Sequence, residues 1–151
     1  MKLIKAFFNV IGFFVNSVIA VIVILLLAAA AYFLPPQLPR IRMHWTAYQF
    51  MTALQAEDYP KAFDMMARFS VEKIGEPDKL PEMLGMTGMK IERFEPAWIE
   101  IPMETPAGEG TAVAYKVVFA GSKKAQPIMV ALLEEDGEWK VFATSLPTKV
   151  K

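Results

Sequence analysis

The chain of 151 residues is long enough for one domain and an appended segment, but short of two full domains. It has no cysteine and a single histidine, His44, which excludes disulfides, thiolate chemistry and imidazole-rich metal sites. Sixteen basic and sixteen acidic residues cancel but separate: residues 1–44 carry +4 and the remainder −4, so no basic run is present to neutralise nucleic-acid phosphates.

From Ala6 to Leu34 run 29 residues without a charge. A helix of about 20 apolar residues crosses a hydrocarbon core about 30 Å thick, so this stretch is long enough to span with tilt. Its most apolar part is Val18 to Ala31; Phe7, Phe8, Phe13 and Phe14 precede it, and Tyr32, which follows, suits an interfacial belt. The competing reading is a cleaved secretory leader, since Ala29, Ala30 and Ala31 are small. The apolar region of a leader is usually about 7–15 residues, however, so an uncleaved transmembrane signal anchor is expected over residues 1–34. Lys2 and Lys5 lie nearer their end of the charge-free stretch than Arg40 and Arg42 lie to theirs, which is expected to place the N-terminus in the cytoplasm and the rest outside. Gly12, Asn16 and Ala20, with Asn9, recur on one helix face, where small and amide residues let helices pair in lipid.

Pro35, Pro36 and Pro39 predict a stiff juxtamembrane linker over residues 35–43, with Arg40 and Arg42 at the level of lipid phosphates. From Trp45 to Asp58 the apolar residues Ala47, Phe50, Met51 and Leu54 recur at i, i+3, i+4 and i+7, a helical stripe. Asp58 and Pro60 open a second helix over Lys61 to Phe69. Asp78 is expected to cap a third, Lys79 to Leu84, which Gly85 and Gly88 end.

The second half reads as strands. Ile91 to Ile101 is the first, with Pro96 marking a bulge or an edge, and Pro102 to Gly110 is a turn-rich connection. Thr111 to Ala120 alternates, with Val113, Tyr115, Val117 and Phe119 on one face; Pro127 to Glu134 and Trp139 to Thr144 follow, joined by the turn Glu135-Asp136-Gly137. The expected fold is α+β: an N-terminal transmembrane helix, then helices packed on a four-stranded antiparallel sheet over residues 44–151.

Phe50 to Met66 (FMTALQAEDYPKAFDMM) and Val130 to Phe142 (VALLEEDGEWKVF) resemble the nuclear transport factor 2-like superfamily, over about residues 44 to 146. The parts that match are the Leu, small-residue, Asp-Tyr, Ala helix junction and the acidic-Gly-x-Trp-Lys-Val final hairpin. The resemblance implies a curved antiparallel sheet around long helices, a cone with one open end. That fold hosts enzymes, adaptors and assembly subunits. Membrane-anchored bacterial versions, and the periplasmic assembly component of type IV secretion systems, have a similar anchor-plus-cone layout. The layout implies a bacterial inner-membrane, single-pass protein with its C-terminal domain in the periplasm.

Isomerases and cyclases of this fold place carboxylates, Tyr or His inside the cone. Here Tyr48, Tyr59 and Tyr115 are the possible donors and Asp64 and Glu100 the possible bases, but none has a partner at a telling spacing. His44 stands alone beside Trp45; Glu134, Glu135, Asp136 and Glu138 lack the spacing of a calcium loop and read as a solvated hairpin. Met83, Met86 and Met89 recur at a spacing of three and suit loose core packing or an adaptable partner surface better than a copper(I) site. The residues thus point to no catalytic group, cofactor or metal. They point to a membrane-anchored, non-enzymatic accessory or assembly protein that binds a protein partner, or a small apolar ligand, at the bilayer. A tethered isomerase, cyclase or hydrolase using the cone is the alternative.

Overall fold

The computed structural model describes residues 18–32 and 37–145, and the chain divides into two units at residues 40 and 41. In the first unit, helix α1 covers residues 18–32, without a charged or amide side chain and with nearly every residue exposed. At 1.5 Å per residue its described part is about 22 Å long. Among the described residues no helix is long and apolar enough to cross a membrane. Of the stripe expected to pair helices, Ala20 lies exposed on α1, while Gly12 and Asn16 are outside the described residues.

Helix α2 (Leu38–Gln55) starts earlier than its apolar stripe predicts. Pro39 falls in the first turn, where a missing N–H has no intrahelical acceptor to lose. The linker expected over residues 35–43 is therefore helical from Leu38 onward. Met43, Ala47, Phe50, Met51 and Leu54 form the buried stripe.

Helix α3 (Tyr59–Asp64) is capped as expected: the Lys61 N–H donates to Asp58 Oδ1 at 3.3 Å, with Pro60 in the first turn. It then stops short, because the backbone at Met65–Ala67 pairs with the last strand. The Ala67 N–H donates to the Val141 carbonyl at 2.8 Å and the Val141 N–H to the Met65 carbonyl at 2.9 Å. The helix expected over Lys61 to Phe69 is thus two, and α4 (Arg68–Ile74) resumes after the break and ends at Gly75, φ +81°. A 3₁₀ turn (Pro77–Lys79) leads into the single-turn α5 (Leu80–Met83). Asp78 lies inside the 3₁₀ turn and caps nothing; Pro77 and Pro81 set the two starts instead.

Four strands follow, β1 (Ile91–Thr105), β2 (Gly108–Phe119), β3 (Gln126–Glu135) and β4 (Glu138–Ser145), paired antiparallel in the order β1-β2-β3-β4. The stretch Pro102 to Gly110 is no open connection. β1 and β2 continue through it to a tight turn, where Thr105 Oγ1 donates to the Gly108 carbonyl at 2.8 Å. Pro102 is tolerated because β1 is an edge strand. Gly110 allows close approach of β3: a Cβ there would lie 2.6 Å from the Leu132 carbonyl oxygen.

Helices pack on one sheet face through a single cluster that joins Phe50, Met51 and Leu54 of α2 to Val113, Tyr115, Val117, Ile128, Leu132 and Val141. The expected alternation of β2 holds for that face. Ala112, Ala114 and Val118 on its opposite face are also buried.

Candidate functional site

Helix α2 runs antiparallel to the edge strand β1. Gln55 Nε2 donates to the Glu92 carbonyl at 2.7 Å, the rings of Tyr48 and Phe94 lie 5.4 Å apart, and those of His44 and Trp98 also 5.4 Å. Beside its buried stripe the helix carries a second one, Ile41, Trp45 and Tyr48, which is exposed; Trp45 stacks on Tyr48 at 6.1 Å.

β1 bulges where it passes His44. Pro96 pairs with Tyr115 and Glu100 with Val113, so Ala97, Trp98 and Ile99 oppose Ala114 alone. Trp98 sits there at φ +56°, left-handed backbone that a bulky side chain rarely adopts. Its indole is 72% exposed, and Trp45 is 59% exposed. Ile99 and Ile101 carry the apolar surface around the edge. His44 Nε2 and Glu100 Oε1 lie 2.5 Å apart and tie the end of the bulge to the helix. Exposed aromatic and apolar side chains grouped in this way make the edge a candidate interaction surface.

Inward, the aromatic series continues from Phe94 to Tyr115, centroids 5.8 Å apart. Burial, and secondarily the charge of Tyr48, pushes the Tyr115 hydroxyl up to about 12, so it stays protonated at neutral pH. The candidate bases lie elsewhere. Glu100 meets His44, and Asp64 lies in a surface groove with Arg42, Trp45 and Lys140. Tyr59 packs half-buried against the core. Among the described residues Ser70 is the one buried polar residue; its Oγ donates to the Phe142 carbonyl at 2.5 Å.

A second concave feature lies between α4, α5 and β4. This cleft of about 200 Å³ is lined chiefly by Met66, Phe69, Ile74, Met83, Leu84 and Phe142. Phe69 stacks on Phe142 at 5.6 Å, and the Lys73 ammonium sits 4.3 Å from the Phe69 ring centre. Thr144 also lines the cleft, its Oγ1 buried without a hydrogen-bond partner among the described residues.

The expected partner surface of Met83, Met86 and Met89 does not hold together. Met83 is 57% exposed and lines the cleft, whereas Met86 is 3% exposed in the core and Met89 packs half-buried against it. Gly85 at φ +65° and Gly88 at φ +73° turn the chain between them, so the spacing of three confers no common face. Arg40 and Arg42 are exposed on α2, not on an extended linker. The acidic hairpin is tied down: the Arg68 N–H donates to Glu135 Oε2 at 3.2 Å, and the Arg68 guanidinium pairs with Asp136. Among the described residues no three His, Asp or Glu side chains gather as metal ligands would.

Sequence reasoning did not find the His44–Glu100 contact, the bulge-borne Trp98 or the cleft. The one signal present was Pro96, which marked β1 as irregular or edge-like. No protein-family model matches the chain, and no curated protein matches it.

Proposed function

We propose that the chain is a single-pass, membrane-anchored accessory or assembly protein, not an enzyme, whose α+β domain binds a protein partner at the membrane surface. The observation that carries this reading is the cleft at Met83. It is apolar along its floor, has an ammonium at its rim and holds one buried hydroxyl without a partner among the described residues. Such a site suits a large apolar side chain followed by a hydrogen-bonding backbone group, or a small apolar ligand of similar shape. Thioether and aromatic walls adapt to either.

The charge-free stretch from Ala6 to Leu34 supports the anchor, and α1 is its described part. The flanking charges support an inner-membrane orientation with the domain in the periplasm. Helices followed by a four-stranded antiparallel sheet agree with the nuclear transport factor 2-like resemblance. The tethered-enzyme alternative draws no support from the interior, where no carboxylate is buried among the described residues.

The test is photo-cross-linking in cells, with the reactive group at Met83 or, as a control, at Lys123 in the β2–β3 loop. The expected result is a discrete adduct from Met83, none from Lys123, and retention of the chain in alkali-washed membranes. Equal labelling from both positions, or a chain that washes out, would overturn the reading.

A further inference from the structure

We infer that the aromatic face of α2 and β1 lies in the interfacial layer of the bilayer, with Trp45 and Trp98 among the lipid headgroups and the upper acyl chains. The domain is then docked on the membrane and not merely tethered to it, with the Met83 cleft left for a partner. This rests on the anchor reading proposed above.

The chemistry of the face is that of a membrane interface. Indole and phenol rings combine an apolar body with a polar tip, and they partition to the headgroup level. Trp45, Tyr48 and Trp98 supply three such rings, and Ile41, Ile99 and Ile101 surround them with aliphatic surface. Two of the three tryptophans of the chain are thus turned outward, one of them on left-handed backbone that serves no contact of the core.

Chain length keeps the face near lipid. Residues 33–36 separate α1 from the helical turn at residue 37, a reach of at most roughly 17 Å across that gap. From there α2 rises about 1.5 Å per residue, so Trp45 lies within about 30 Å of the end of α1. Once α1 is inserted, the face meets the interface at high effective concentration without diffusing to find it.

Charge does not drive this docking. α2 brings Arg40 and Arg42 and no acid, but the exposed part of β1 brings Glu92, Glu95 and Glu104 against a single Arg93. Opposite signs on the two walls offset each other. Zwitterionic phosphatidylcholine therefore suffices, and added salt leaves the docking intact.

The three tryptophans provide the readout, because all of them lie in the domain. The full chain is reconstituted in phosphatidylcholine nanodiscs, plain or brominated near the glycerol end of the acyl chain, and tryptophan fluorescence is recorded. Bromine is expected to cut the emission to about half, at low and high salt alike, as for indoles at headgroup depth. A Trp45→Phe/Trp98→Phe variant, reporting from the half-buried Trp139 alone, is expected to show little quenching; circular dichroism confirms that it is folded. A chain that comigrates with the discs but is not quenched overturns this inference and leaves the anchor standing. A chain that fails to comigrate overturns the anchor reading and the docking with it. The same face pairs with a second copy instead if an Ile99→Cys variant forms a disulfide dimer while quenching is absent; the native chain has no cysteine to confuse that result.

Discussion

His44 on α2 and Glu100 on β1 meet side chain to side chain, Nε2 to Oε1 at 2.5 Å, across 56 residues of sequence. The contact closes the β1 bulge against the helix at the point where the His44 ring also meets Trp98. Both side chains are about a fifth exposed, so water screens the pair and its net contribution is modest. Glu100→Ala is expected to lower stability by about 1 kcal/mol, and His44→Ala by a similar amount. Denaturant unfolding of the two single variants and the double variant would check it. Fully additive losses would show that the two residues act independently.

The two methionines on either side of Gly85 are expected to behave differently. Met86→Ala empties a core position and costs about 2–4 kcal/mol, whereas Met83→Ala removes an exposed side chain and costs about 0.5 kcal/mol or less. Unfolding midpoints distinguish them directly. Similar losses at both positions would contradict the placement of Met86 in the core.

At Trp98 the left-handed backbone sets the expectation. Glycine adopts φ +56° without a Cβ penalty, so Trp98→Gly is expected to raise stability by up to about 1 kcal/mol, even though it gives up the ring contact with His44. Trp98→Ala keeps the strain and should bring no such gain. The measurement is thermal unfolding of both variants in the same detergent; a glycine variant less stable than the alanine one would sink the argument.

Tyr115 makes stability depend on alkaline pH. Its hydroxyl is raised from 10.0 to about 12, chiefly by burial, so folding favours the neutral form. That contribution is complete below about pH 10 and is lost as pH rises through about 12. The protein is expected to weaken over this window, and Tyr115→Phe to flatten the decline. Urea midpoints as a function of pH read this out. Parallel slopes for the two proteins would remove Tyr115 as the cause.

Much of the fold was legible in local pattern. The stripe Ala47, Phe50, Met51, Leu54 marks the buried side of α2, Asp58 with Pro60 marks the start of α3, and Val113 to Phe119 marks the core face of β2. These features depend on periods of two or three to four residues and on caps that act within one turn, so a short window of sequence contains them. Among the candidate sites, which of the three methionines enters the core was not legible, because two glycines with positive φ redirect the chain between equally spaced residues.

By itself, then, the sequence determined helix for the stretches around Ala47 to Leu54 and Lys61 to Asp64, strand for Thr111 to Phe119, Pro127 to Glu134 and Trp139 to Thr144, and the apolar face of the first helix and of β2. Tertiary structure alone decided where the helix expected over Lys61 to Phe69 breaks, since at Met65–Ala67 the backbone groups of Val141 offer a better partner than the next helical turn. It also decided that Glu100 would find His44, that Trp98 would stand outside the core, and that α4, α5 and β4 would leave a cleft between them. Each of these depends on groups far apart in sequence being brought within bonding or contact distance, and no local pattern encodes that proximity.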